Sequence, residues 1–343
     1  MLVTDAWTPQ INGVVTTMQA MSAYLQKEGH QVEIIHPGQF LSMPMPTYPE
    51  IRLSLNVWRV IKKIKNFNPD HIHLVTEGPL GWVARAYLNW NKLHYTSAFH
   101  TKLPEYIHAR LPFISVNFGY RLVRYFHQKS ACVLVPTEQI KSELRQYKIN
   151  HTVTWTRGVD PAIYHPLQAN EQSPLPNVQG PVYLCVARLA PEKNIETFLQ
   201  VKLAGTKVIV GDGPLRKKLE SAYPDALFVG YQIGRDLARY YAVADVFVFP
   251  SLTDTYGVVM LESMACGTPV AAFNVTGPIN VVQSGKTGIL TDDISPKGLG
   301  RAIQLAQKLN GQDCLDFAKA NSWDKTGDFL LKQLVFMSEN KAV

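Results

Sequence analysis

Long apolar runs are missing from this 343-residue chain: no stretch of about 18 consecutive apolar residues occurs, so no membrane-spanning helix is expected. Cysteine is sparse. Cys132, Cys185, Cys266 and Cys314 stand far apart in no paired spacing, which argues against a disulfide framework and against a zinc site. No Asp-x-Asp occurs anywhere and no other divalent-metal signature replaces it, so no metal or other cofactor is expected. His71 and His73 share one strand face, but no acid or cysteine has ligand spacing with them. The N-terminus, Met1-Leu2-Val3-Thr4-Asp5, has no basic region leading into an apolar stretch, so no signal peptide is read and a cytoplasmic location is expected. Low-complexity tracts and short internal repeats are also absent from the sequence.

What is present is unevenly spread. Hydrophobic content of 46% and charge of 18% describe an ordinary globular chain, long enough for two domains of about 150 to 170 residues each. Residues 1–170 carry 17 Lys plus Arg against 10 Asp plus Glu, whereas residues 171–343 carry 17 of each, and all ten histidines precede residue 166. The first half should therefore meet an anionic partner: nucleic acid, an anionic membrane surface or an acidic substrate. Its basic clusters are Arg59, Lys62, Lys63 and Lys65, then Arg121, Arg124, His127 and Lys129 among Phe118, Tyr120, Tyr125 and Phe126. No nucleic-acid reading motif accompanies them, and nucleic acid is the weakest of these candidates.

The proline-interrupted stretch His165 to Pro181 marks a boundary. Before it, β-like runs (Gln31 to His36, His71 to Val75, Ala131 to Pro136) alternate with helical patterns (Thr16 to Glu28, Trp58 to Phe67, Gln139 to Tyr147). After it the alternation restarts with Val182 to Val186, Thr206 to Val210, Leu227 to Val229, Val246 to Phe249 and Val270 to Phe273. Strands alternating with helices imply parallel sheets, so the fold class is α/β, with two doubly wound Rossmann-like domains at 1–166 and 167–323. Ligands then belong beyond the carboxyl ends of strands, in the cleft between the domains.

The most telling segment runs from Asp254 to Glu262. Asp254 falls in a loop after an apolar strand ended by Pro250, Gly257 precedes a helix at Val258 to Ala265, and Glu262 lies on its second turn. An anion site at a helix N-terminus, flanked by two hydroxyl-binding acids about 12 Å apart, suits a ligand with a central diphosphate and a sugar at each end. Spacing alone leaves the ordinary reading open, in which both acids are solvated or capping groups. Arg188 and Lys193 follow the strand Val182 to Val186, where a planar fork and a point charge suit a diphosphate. Gly211-Asp212-Gly213 lacks the third glycine of a dinucleotide fingerprint and reads as a tight turn lining the same pocket, with Pro214 opening a helix. Gly285-Lys286-Thr287 lacks the leading glycine of a phosphate loop, which argues against an ATPase.

In the first half, Asn12-Gly13 sits between the first strand and helix, where glycine lets backbone approach a ligand phosphate. Glu77-Gly78-Pro79 marks the next loop into the cleft. His100-Thr101 follows the β-like stretch His94 to Phe99; a lone histidine there is most often structural.

Together these motifs resemble the retaining glycosyltransferases of family four, which have the GT-B fold. The likeness runs from Trp7 to Leu331, with the second half the more specific. The resemblance implies that Glu262 holds the nucleotide ribose, that Asp254 holds donor sugar hydroxyls, and that the backbone of Thr255, Tyr256, Gly257 and Val258 holds the diphosphate. It implies that Arg188 and Lys193 neutralise that diphosphate, that Gly13 and Gly211 line the donor site, and that His100 faces the reacting centre. Asn12, Glu77 and Thr101 fall on the acceptor side. The family's usual first acid is Glu, so Asp254 is one methylene shorter, and Arg157 stands where the family usually has Asn. Ser322-Trp323-Asp324 and the helix beyond, about 324–343, are similar to a terminal helix that packs back on the first domain. The implied activity is transfer of a hexosyl group from a nucleotide-sugar, GDP-mannose or UDP-hexose, to a lipid or saccharide acceptor, with retention and without metal. The Asn12, Glu77 and His100 segments are most similar to those of transferases acting on lipids, which adds peripheral contact with the inner face of a membrane. Two alternatives stay open: a nucleotide-sugar epimerase of the same fold, and a non-catalytic nucleotide-sugar binding protein.

Overall fold

The computed structural model describes residues 1–10, 12–45, 48–111 and 113–338. The chain divides into two compact units, Met1–Thr156 with Trp323–Val343, and Arg157–Ser322. The expected boundary at 166 thus moves to Thr156, because the segment after it is tied to the second unit. The Val159 amide donates to Asn321 O at 3.0 Å, and Arg235 donates to the carbonyls of Ile163 at 3.2 Å and His165 at 2.8 Å.

In the first unit, β1 (Leu2–Val3), β2 (Ile34–Ile35), β5 (His73–Leu74), β6 (Thr96–Ala98), β7 (Val133–Val135) and β8 (Thr152–Thr154) form a parallel sheet in the order β2-β1-β5-β6-β7-β8. An antiparallel hairpin, β3 (Ser42–Met45) and β4 (Tyr48–Ser54), stands apart from it. The helices are α1 (Gly13–Lys27), α2 (Arg59–Phe67), α3 (Pro79–Trp90), α4 (Leu103–Arg110), α5 (Val116–His127) and α6 (Glu138–Gln146). Of the residues expected on a basic surface, His127, Tyr120 and Phe126 are buried: they lie on the inward face of α5, with Gly119 and Val123. Arg121 and Arg124 remain exposed.

The second unit has a parallel sheet in the order β11-β10-β9-β12-β13-β14, built from β9 (Val182–Val186), β10 (Thr206–Val210), β11 (Leu227–Gly230), β12 (Val246–Phe249), β13 (Val270–Phe273) and β14 (Gly288–Thr291). Its helices are α7 (Ile195–Leu199), α8 (Arg216–Ala222), α9 (Gly234–Val243), α10 (Val258–Ala265), α11 (Pro296–Ala306) and α12 (Gly311–Ala320). Helix α8 begins after Pro214, which lies in the preceding turn. Along β9, Val182, Leu184 and Val186 join one apolar layer while Tyr183 and Cys185 join the other, the period of two expected of a strand covered on both faces.

The chain then returns to the first unit as α13 (Trp323–Gln333). Tyr24 of α1 hydrogen-bonds Asp328, Lys27 Nζ lies 3.3 Å from Asp324, and the Trp155 indole N–H donates to Thr326 O at 3.0 Å. This helix ends at Gln333, short of the expected 343, and residues 339–343 lie outside the described ones.

Candidate functional site

In the second unit the strand order reverses between β9 and β12, and in open α/β sheets the ligand crevice lies beyond the carboxyl ends of two such strands. Arg188 and Lys193 stand on the loop after β9, Asp254 to Gly257 on the loop after β12, and Glu262 on α10, which that second loop opens. Their gathering follows from topology.

Local chemistry fixes each of them. Gly257 adopts φ +88°, and a Cβ there would lie 2.7 Å from Met260 Cε and 3.1 Å from Phe249 Cζ, so only glycine turns the chain into α10. No side chain caps α10, which leaves the amides and positive dipole end of its first turn for another acceptor. Lys193 Nζ lies 2.6 Å from Asp254 Oδ1, both side chains about one-fifth exposed (23% and 20%). Asp254 Oδ2 is buried and has no hydrogen-bond partner among the described residues. A carboxylate oxygen left in that state costs free energy unless another donor reaches it. The Lys193 loop is itself pinned to the end of β12, because Asn194 Nδ2 donates to Pro250 O at 3.1 Å.

Glu262 is buried, and its carboxylate accepts hydrogen bonds from the Tyr241 hydroxyl at 3.0 Å and from Tyr164. Burial pushes the carboxyl up to about 7, against the pull of the two phenols. Tyr164 and Tyr241 are therefore site residues that no local motif could mark, since they come from sequence positions remote from the acid. Tyr256 is also turned inward: its ring joins the core and its oxygen accepts the Arg157 backbone N–H. Arg157 is itself buried, and desolvation lowers its guanidinium to about 10.

Gly211 proves to be a spacing residue. At φ +134° its Cβ would sit 2.0 Å from Ala187 O, and at Gly213 a Cβ would meet Leu189 O at 2.6 Å. The two glycines let this turn pack against the loop bearing Arg188, where the Leu189 amide donates to Asp212 O at 2.9 Å.

In the first unit the order reverses between β1 and β5. Asp5, after β1, accepts from the Leu80 amide at 2.9 Å, the Gly81 amide at 3.2 Å and the Thr76 hydroxyl at 3.1 Å, so it caps α3 from across the sheet. Burial raises its carboxyl to about 6. Asn12 caps α1, with Oδ1 accepting from Val14 and Val15, so the oxygen expected on the acceptor side already serves the helix. Gly13 follows it in open space, with nothing within 4 Å of a built Cβ. His100 is buried edge-on to Trp155, centroids 6.1 Å apart; Thr101 is half-buried beside it. His73 packs on the same indole and bonds Thr96 Oγ1 at 2.8 Å. His71 bonds Val335 O, so these two histidines serve the fold. Glu77 receives His127 Nε2 at 3.1 Å. Among the described residues no group of three or more His, Cys, Asp or Glu could hold a metal ion, and no helix is long and apolar enough to cross a membrane.

Two units, each with a parallel doubly wound sheet covered by helices, are the architecture of the GT-B fold. The solved structure of sucrose-phosphate synthase from Thermosynechococcus elongatus matches over 96% of both chains with TM-score 0.78 at 21% identity. HepE from Anabaena, solved with UDP and glucose, matches over 96% of this chain and 97% of its own with TM-score 0.72 at 16% identity. These two establish the fold. The family model for glycosyltransferase family 4 matches residues 11–163, and that for glycosyl transferases group 1 matches residues 180–307. The chain belongs to glycosyltransferase family 4 and is a hexosyltransferase. A GDP-mannose-dependent alpha-mannosyltransferase of Mycobacterium tuberculosis is 27% identical over 84% of this chain and 82% of its own. The sulfoquinovosyl transferase SQD2 of Arabidopsis thaliana is 29% identical over 82% of this chain and 61% of its own. An alpha-monoglucosyldiacylglycerol synthase of Streptococcus pneumoniae is 28% identical over 84% and 74%.

Proposed function

We propose that this chain transfers a hexosyl group, with retention, from GDP-mannose or a UDP-hexose to the hydroxyl of a glycolipid or its lipid precursor, and does so without a metal ion. The observation that carries the reading is the set at the β9/β12 switch point: Arg188, Lys193, the uncapped start of α10, and two acids seated differently. Leaving-group charge would be met by Arg188, Lys193 and the amides of the first turn of α10, an electrostatic contribution already in place before the reaction. Glu262, held by two phenols, suits the ribose hydroxyls, and the unpartnered oxygen of Asp254 suits a hydroxyl of the donor sugar. In a front-face reaction the departing phosphate takes the acceptor proton, so no protein nucleophile is required.

The name of one relative, the alpha-monoglucosyldiacylglycerol synthase, favours a lipid acceptor, and the surface of the first unit adds to it. Helix α5 exposes Phe118, Leu122 and Tyr125 in one row and Asn117, Arg121 and Arg124 in the next. A cavity of about 200 Å³ opens among Asn117, Tyr120, Arg121, Arg124 and Tyr147. Apolar and basic rows side by side fit an anionic bilayer at the cytoplasmic face.

The test is nucleotide release from GDP-mannose, UDP-glucose and UDP-sulfoquinovose in the presence of dioleoylglycerol or phosphatidylinositol vesicles. Release matched one-to-one by glycosylated lipid is expected. Interconversion of free sugars without release would favour an epimerase, and binding without turnover a sensor. Sedimentation with anionic vesicles should weaken as salt rises; equal pelleting with neutral vesicles would remove the membrane part of the reading.

A further inference from the structure

Glu77 stands just beyond β5, at the β1/β5 switch point of the first unit. Its carboxylate is held from behind by a buried chain of hydrogen bonds. Glu77 Oε1 lies 3.1 Å from His127 Nε2, whose Nδ1 lies 2.8 Å from Ser97 Oγ; Ser97 donates to Ser130 Oγ at 2.9 Å, and Ser130 to Cys132 O at 3.0 Å. The His127 side chain is fully buried, and that of Glu77 is 9% exposed. The chain's direction follows from its last member: a carbonyl only accepts, so the hydroxyl protons run toward Cys132, Ser97 receives an N–H from His127, and one proton lies between Nε2 and Glu77. Ser97, His127 and Glu77 have the composition of a nucleophilic triad, but Ser97 is fully buried and bonded on both sides, so it attacks nothing. What the arrangement does is fix a carboxylate. Among the described residues Glu77 has no hydrogen-bond partner besides His127, which leaves its second oxygen for a ligand.

We propose that the second oxygen of Glu77 receives the acceptor hydroxyl, and that His127 is the positioning residue that aims it through the buried Ser97–Ser130 chain. The inference rests on the transferase reading above and adds to it a group that orients the acceptor. A carboxylate locked by a buried partner selects one approach of the hydroxyl and loses little freedom when it binds.

Two substitutions at His127 separate positioning from packing. His127→Gln retains an amide N–H near the place of Nε2 and lets go of Ser97; His127→Asn reaches Ser97 and withdraws the donor from Glu77. With the lipid acceptor that the wild type uses, His127→Asn and Glu77→Gln should each raise the acceptor KM about tenfold or more, whereas His127→Gln should stay within about threefold of wild type. A wild-type near-ultraviolet circular dichroism signal and an unshifted urea midpoint report that each variant is folded. If His127→Asn does not fold, Ser130→Ala breaks the chain at its far end and should raise the acceptor KM about threefold with the donor KM held. Equal acceptor KM for the Asn and Gln variants, or an unmoved KM in Glu77→Gln, would overturn the inference while leaving the transferase reading intact. Absence of transfer by the wild type with every donor would overturn both.

Discussion

The two units place their polar groups by different means. In the second, Lys193 meets Asp254 directly, and the acids, the turning glycine and the helix start come from one stretch of nine residues. In the first, Asn12 caps its own helix, but the deeper groups are held by residues remote in sequence: Glu77 by His127, Asp5 by the start of α3, His100 against Trp155. The lesson is that a contiguous motif lets its own residues be named from sequence, whereas a site assembled across strands leaves the partners that hold its members unmarked there.

Replacing Glu262 by Ala should break the second unit's site most severely. It removes the candidate ribose anchor and strands the Tyr241 and Tyr164 hydroxyls, so kcat/KM should fall about 100-fold and stability by about 1–3 kcal/mol, read by donor kinetics and urea unfolding. Undiminished nucleotide affinity would refute the assignment. Asp5→Ala is the counterpart in the first unit. Loss of the carboxylate that caps α3 should cost about 1–2 kcal/mol while nucleotide binding stays at the wild-type value; a matching loss of nucleotide affinity would show that the two units do not divide the work.

The pH dependence sharpens the same contrast. The Glu262 carboxyl titrates near 4.5 in the unfolded chain and about 7 in the folded one, so the folded state binds the extra proton between those values. Its contribution to stability is therefore largest below 4.5, falls as pH rises toward 7 and is level above it, a span of about 3 kcal/mol. Urea midpoints of Glu262→Gln should lack this decline; a decline of equal depth in the variant would place the titration elsewhere. Smaller in scope, Gly211→Ala should destabilise by about 1–3 kcal/mol by driving a Cβ into the Ala187 carbonyl. Its effect on donor KM should track that loss, because Gly211 spaces the Arg188 loop.

Legibility in the sequence followed burial. Strands β9, β12 and β13 end where their apolar runs end, because both faces are covered and nothing polar interrupts them. In the first unit Gln31 to His36 contracts to Ile34–Ile35, and the β3–β4 hairpin was hidden by Pro44, Pro46 and Pro49, although Glu50 to Leu55 alternates polar and apolar residues. Helix α3 was hidden behind Gly78-Pro79, which read as a loop, although proline is at home in a first helical turn. His127 looked basic and exposed, since aromatic residues surround α5 on every side and periodicity alone did not choose its inner face. The tyrosines around Glu262 and the reach of Asp5 to α3 are contacts of tertiary structure, for which local sequence holds no sign.

The return of α13 to the first unit has a consequence for synthesis. By Ser322 every strand and helix of the second unit has been made, yet the first unit still lacks the helix that Tyr24, Lys27 and Trp155 engage. A growing chain therefore completes its later half before its earlier one, reversing the N-to-C order in which domains ordinarily mature on the ribosome.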